Sequence, residues 1–242
     1  MSTSVFLAGA TGALGRQLVP LLVEAGYRVF GTTRVRERAR ALEAAGVEPV
    51  ILDVFDMPAV DDAFSRIRPE ILIHHLTDLP QDLNPEAMPE ARVRNARIWS
   101  EGTRNLMGAA KNAGTRRAIA QSLAWLYAPG PEPHREEDPL GATDADLRVV
   151  LEGVSALESA VLGTPPVEGI VLRFGLLYGP GTSSALPQGS SPLHVQAAAY
   201  ASLIAIEKGH PGVYNVTDDN ALISTGKAQE QLGWDASFRR AE

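Results

Sequence analysis

The chain of 242 residues contains no cysteine. That excludes a disulfide framework and any thiol chemistry. It fits a reducing compartment, so cytoplasmic residence is the expectation. No apolar run approaches the roughly 20 residues of a membrane-spanning helix. The N-terminus lacks the basic region, apolar core and small-residue cleavage site of a secretion signal. Basic residues are the scarcer sign. The 22 Lys and Arg against 29 Asp and Glu leave a net charge of −7, which argues against nucleic acid or an anionic membrane as a partner. No cluster of His, Asp and Glu has metal-ligand spacing, so no metal is expected. There is no Gly-x-x-x-x-Gly-Lys-Ser/Thr phosphate loop, which speaks against nucleotide triphosphate hydrolysis. No internal repeat or low-complexity tract interrupts the chain. What is there is a 45% hydrophobic fraction, enough to bury the core of one domain with a small appendage.

The most informative stretch lies at the start. Val5-Phe6-Leu7-Ala8 breaks into Gly9-Ala10-Thr11-Gly12-Ala13-Leu14-Gly15, and an amphipathic run follows from Arg16 to Ala25. This reads as a strand, a glycine turn and a helix. Gly9 permits the tight turn, Gly12 leaves room for a diphosphate at the backbone, and Gly15 lets the helix pack closely on the strand. The N–H groups and dipole of the helix start favour an anion there. The candidate diphosphate-binding set is therefore Gly9, Thr11, Gly12, Ala13, Leu14 and Gly15.

Further on, strands and helices alternate. Strands are predicted at 27–31, 49–52, 70–75, 117–122 and 169–174. Helices are predicted at 36–45, 58–67, 88–113 and 145–162, with a loop rich in Pro, Gly and charge at 128–143. This alternation predicts an α/β protein: a Rossmann-type, doubly wound parallel sheet with helices on both faces. Residues 1–178 form the dinucleotide-binding core. Residues 179–242 form a small substrate region, interleaved with that core. Ligands in such a sheet lie beyond the carboxyl ends of the strands.

The residues at those ends suggest a cofactor. The second strand runs into Thr32-Thr33-Arg34, with Arg36 and Arg38 close behind. A site for NAD usually carries an acidic residue there, to hold the ribose 2′-hydroxyl. Hydroxyls and an arginine suit a 2′-phosphate instead, so NADP is preferred over NAD. Asp53, at the end of the third strand with Val54 beside it, can accept from an adenine amino group, or it can cap the helix ahead.

Several segments together resemble the extended short-chain dehydrogenase/reductase family, of the NAD-dependent epimerase/dehydratase type. They are Gly9-x-x-Gly12-x-x-Gly15, Asp53-Val54-x-Asp56, Glu101-Gly102-Thr103-Arg104-Asn105-Leu106, Leu172 to Gly181, and Gly212-Val213-Tyr214-Asn215-Val216. They run in the family's order from Val5 to about Trp234. The resemblance implies a Rossmann core, bound NAD or NADP, a small-molecule substrate and hydride transfer. A homodimer is left open.

The sequence departs from the family at the catalytic signature. The family carries Tyr-x-x-x-Lys on the helix after the fifth strand, with a Glu four residues past the Lys. Setting Glu158 at that Glu puts Val154 at the Lys position and Val150 at the Tyr position. Neither can move a proton. The remaining candidates for acid–base work are Ser122, ending the fifth strand, and Tyr127, five residues on. His75 and Leu76 follow the fourth strand on the nicotinamide side. His74, Asp78, Arg173 and Tyr178 are candidate substrate contacts, and Asp82 lies in reach on the same loop as Asp78. Asn95 resembles the family's relay asparagine, and His194 reads as a helix start. The expected function is an NAD(P)-dependent oxidoreductase, epimerase or dehydratase with non-standard acid–base residues. The alternative is a non-catalytic NADP(H)-binding sensor or scaffold.

Overall fold

A computed structural model of the chain describes residues 2–80, 83–142 and 144–240. Asp82 lies outside them. Seven strands form one parallel sheet: β1 (Ser4–Ala8), β2 (Arg28–Thr33), β3 (Glu48–Ile51), β4 (Ile71–His74), β5 (Arg117–Leu123), β6 (Glu168–Phe174) and, late in the chain, Gly212–Val216. A separate parallel pair, β7 (Leu176–Tyr178) and β8 (Pro192–His194), precedes that last strand, which is therefore β9. The order across the main sheet is β3-β2-β1-β4-β5-β6-β9. The chain reverses direction across the sheet between β1 and β4, and that switch point opens a crevice at the strands' carboxyl ends.

Side-chain alternation along the strands divides the core in two. On one face, Val5 and Leu7 of β1 pack with α1 (Ala13–Glu24), with Leu42 of α2 (Ala39–Ala44), and with α7 (Val195–Lys208). On the other, Phe6 and Ala8 pack with α3 (Met57–Ile67), α5 (Thr103–Ala113) and α6 (Ala145–Leu162). The residues after 179 thus supply the seventh strand and a core helix to the main layers, besides the β7–β8 pair.

The predicted helix 88–113 is three pieces. α4 (Met88–Arg97) and α5 are joined by a π-turn over Ile98–Gly102. Ser100 Oγ donates to the Ala96 carbonyl at 2.8 Å inside this turn. A Cβ on Gly102 would come within 3.0 Å of Val54 Cγ2. The widened turn and the bare glycine let the helix pass close over the end of β3. Likewise the predicted helix at 36–45 is a 3-10 turn, Arg36–Arg38, followed by the short α2.

Candidate functional site

The crevice begins at the glycine turn. Gly9 has φ +100°, and a Cβ there would lie 2.8 Å from the His75 carbonyl oxygen. A Cβ on Gly15 would lie 2.2 Å from the Gly9 oxygen. Both positions need glycine for the fold itself. Gly12 differs. Its backbone is extended, at φ −73° and ψ 174°, and its only neighbour within 4 Å would be the Gly9 oxygen, at 3.4 Å. Its open side is a cradle that a side chain would fill. α1 starts there with no side-chain cap and no acidic residue in its first turn, so its first N–H groups are left for an anion. These residues fit the diphosphate of a dinucleotide.

The end of β2 holds no carboxylate. The Thr32 hydroxyl accepts from Gly9 N at 3.1 Å. Thr33 Oγ1 accepts from Val35 N at 3.1 Å. Both hydroxyls serve the fold, which corrects the expectation that Thr33 contacts the cofactor through its hydroxyl. Arg34 remains exposed, and its guanidinium reaches Asp78 at 3.5 Å. Asp78 also meets Arg94 at 3.3 Å, and its N–H donates to Asn95 Oδ1 at 3.0 Å. Asp78 thus stands between two arginines, Arg34 and Arg94. Asn95 braces the loop after β4 and spends its Nδ2 on the Ala91 carbonyl. Asp53 Oδ1 accepts from Phe55 N, while Asp56 caps α3.

His74 and His75 point to opposite faces of the sheet and are both buried. His74 Nε2 bonds Thr103 Oγ1 at 2.9 Å, and its Nδ1 accepts from Leu76 N at 3.3 Å. His75 Nε2 meets Ser202 Oγ of α7 at 3.3 Å, and its ring lies edge-on to Phe174. Burial holds His74 down at about 4. Burial, with the neighbouring His74, holds His75 down at about 3. Both rings are neutral core groups. Neither presents the donor to a ligand that the sequence suggested, because alternation sends each into a packed layer instead of the crevice.

Of the residues read as catalytic and substrate-binding, Ser122, Tyr127 and Arg173 gather in one network. Register pairs Ser122 of β5 with Arg173 of β6, and Glu158 of α6 covers them. Ser122 Oγ donates to Glu158 Oε1 at 2.6 Å. Arg173 donates to both Glu158 oxygens, at 2.9 and 2.8 Å, and to the Tyr127 hydroxyl at 2.9 Å. Tyr127 donates to Asn215 Oδ1 of β9 at 2.7 Å. Burial opposes the Arg173 charge, but Glu158 outweighs it and holds the guanidinium above its usual range. Burial also raises the Tyr127 hydroxyl, against the pull of Arg173. Ser122 is 2% exposed, and its hydroxyl proton is committed to Glu158. Ser122 and Arg173 therefore form a buried cluster with Glu158, packed inside the protein where the sequence suggested a proton donor and a substrate contact. Asn215 and Glu136, whose carboxylate accepts from Asn215 N at 2.9 Å, were not singled out from sequence as site residues.

Tyr178 donates to Asp218 at 2.7 Å and stacks edge-on with His194. It ties the β7–β8 pair to the loop after β9. His194 caps α7 through Nδ1, as its position at the head of that helix suggested. Val150 and Val154 of α6 are buried in the apolar layer. No tyrosine anywhere in the sequence has a lysine four residues on.

Beside the end of β5 lies a cavity of about 140 Å³, walled by Trp125, Tyr127, Glu132, His134, Ser191 and Ile223 among others. The Tyr127 and His134 rings stack at 4.9 Å between centroids. Among the described residues, no group of three or more His, Asp or Glu could hold a metal, and no helix is long and apolar enough to cross a membrane.

The family model described as "NAD dependent epimerase/dehydratase family" matches residues 5–199. The chain belongs to this family. With that membership, the expectation of an NAD(P)-dependent enzyme on a Rossmann-type fold stands. A 3-diazoavenalumate denitrifying reductase from a Streptomyces species is 40% identical over 237 residues, covering 89% of this chain and 76% of that protein. Among solved structures, the UDP-glucose 4-epimerase of Thermotoga maritima with UDP-glucose superposes with a TM-score of 0.79 at 17% identity, covering 98% of this chain and 94% of that one. That of Thermus thermophilus, a complex with NAD, gives 0.78 at 18%, covering 98% and 95%. At such identity the two epimerases speak for the fold alone.

Proposed function

We propose that the chain is an NADP(H)-dependent reductase whose reaction takes a hydride and draws no proton from the enzyme. The observation that carries this is the proton-relay helix. Aligned on Glu158, α6 would carry Val150 and Val154 at the family's Tyr and Lys positions, and both are packed into the core. The nearby hydroxyls are no substitute, since Ser122 is sealed against Glu158 and Tyr127 is bonded to both Arg173 and Asn215.

Gly9 to Gly15 and the start of α1 would hold the diphosphate. Asp53 and Val54 would flank the adenine, and Arg34 would meet the 2′-phosphate in exchange for Asp78. Leu76, following β4, would border the nicotinamide. When bound, the nicotinamide supplies a hydride. Denitrification of a diazo compound, the reaction in the name of the 40% identical relative, suits these residues. Replacing a diazonium group by hydrogen forms one C–H bond. The C–N bond breaks, and its electron pair leaves with dinitrogen. No proton is asked of any side chain.

Two measurements test this reading. Titration of the protein with NADPH and NADH should show tighter NADPH binding, lost on Arg34→Ala; equal affinity for both would contradict the NADP assignment. NADPH consumption with an arenediazonium substrate should survive Tyr127→Phe. A general acid contributes about 10²–10⁴-fold in rate, so a loss of that size would return Tyr127 to the chemistry.

A further inference from the structure

We infer that Arg94 of α4 is a second cation for the cofactor's 2′-phosphate, facing Arg34, and that Asp78 competes with that phosphate for both arginines. This rests on the NADP(H) reading and extends it to two further specificity-determining residues. The fold fixes the place. Arg34 follows β2, whose Thr32 hydroxyl accepts from Gly9 N at 3.1 Å. Asp78 follows β4, and a Cβ on Gly9 would lie 2.8 Å from the His75 oxygen and 3.2 Å from Leu76 N. The glycine turn therefore touches both segments, and both leave the sheet at its carboxyl edge beside β1.

Arg94 arrives from a third element. Asn95, next to it, is fully buried. Its Oδ1 accepts from Asp78 N at 3.0 Å, and its Nδ2 donates to the Ala91 carbonyl at 2.8 Å. This clamp pins the loop after β4 to α4 and brings the Asp78 and Arg94 side chains together. Asp78 then gives one oxygen to each arginine: Oδ1 to Arg34 Nη2 and Oδ2 to Arg94 Nε. A carboxylate shared in this way marks a point where two guanidiniums can meet one anion. A phosphate monoester brings more charge and three acceptor oxygens to the same two groups. The arginine side chains are about half-exposed and Asp78 is 34% exposed. Glu90, which approaches Arg94 at 3.9 Å, is more open still. Ion pairs so open to water hold weakly, so the phosphate can displace the carboxylate.

The test is a double-mutant cycle on the full chain, with NADPH and NADH binding followed by cofactor fluorescence. The ratio of the two affinities isolates the 2′-phosphate. Arg94→Ala should lower the NADPH-to-NADH ratio about fivefold to tenfold, and Arg94→Lys should restore part of it. Asp78→Asn should raise the ratio about twofold to fivefold. Arg94→Ala should still lower it when Asp78→Asn is already present. NADH affinity should hold in every variant, which shows that each is folded. An unchanged ratio in Arg94→Ala, or an effect that vanishes in the Asp78→Asn background, would overturn Arg94 as a phosphate contact. A fall of both affinities together would assign it a structural role and overturn it equally. A ratio unchanged or lowered in Asp78→Asn would overturn the competition. If Arg34→Ala lowers the ratio and Arg94→Ala does not, this inference fails and the NADP(H) reading stands. Equal affinity of the wild type for both cofactors would end both.

Discussion

The buried pair His74 and His75 makes the stability of this protein fall as pH falls below about 6.5. The sign follows from the two states. In the folded chain, burial keeps both imidazoles neutral down to about 4 and about 3. In the unfolded chain each protonates near the ordinary histidine value of about 6.5. Between those limits the unfolded state binds more protons, so acid favours it. From about pH 7 to about pH 5, each histidine costs about 2 kcal/mol, and the pair about 4 kcal/mol. That is a large share of a typical stability of about 5–15 kcal/mol.

Urea denaturation at the two pH values reads this directly as a shift of midpoint at constant slope. His75→Leu should roughly halve the loss. The variant leaves Ser202 satisfied, because its hydroxyl also donates to the Ala198 carbonyl at 3.1 Å, and it removes an Nδ1 that has no partner. A loss below about 1 kcal/mol over this range, or an unchanged loss in His75→Leu, would refute the argument that these rings are neutral core groups.

Gly12→Val should abolish dinucleotide binding and leave the fold intact, because that backbone suits any residue and only the Gly9 oxygen stands near the new Cβ. Gly15→Ala should fail to fold, since its Cβ would overlap the Gly9 carbonyl; circular dichroism with NADPH titration separates the two cases. Glu158→Leu strands the buried Arg173 guanidinium and should cost about 3–5 kcal/mol in denaturation. Adding Arg173→Met should recover most of that, as removing both partners of a buried pair is far less costly than removing one.

The strand–glycine–helix entry and the alternation up to β6 were legible because each rests on local rules: turn glycines, period and helix ends. The Glu158–Arg173 pair shows what was not. The two residues are 15 positions apart, and only the β5–β6 register brings Ser122 into the same cluster. Reading Ser122 and Arg173 as ligand contacts was reasonable from a strand's end, yet α6 seals them. The same holds for Thr32 and Thr33, whose hydroxyls satisfy the turn beside them. The split of the predicted 88–113 helix depends on how close Gly102 must pass to Val54, a distance no periodicity carries.

The central claim is hydride transfer without an enzyme-borne proton. The most direct measurement is turnover of an arenediazonium with NADPH deuterated at C4, on either face, in the wild type and in Tyr127→Phe, with the product read by mass spectrometry. The account predicts that dinitrogen is released and that deuterium from one of the two faces appears at the carbon that bore it, at similar rates in both proteins. Hydrogen drawn from solvent at that carbon, or turnover lost with the Tyr127 hydroxyl, would contradict it.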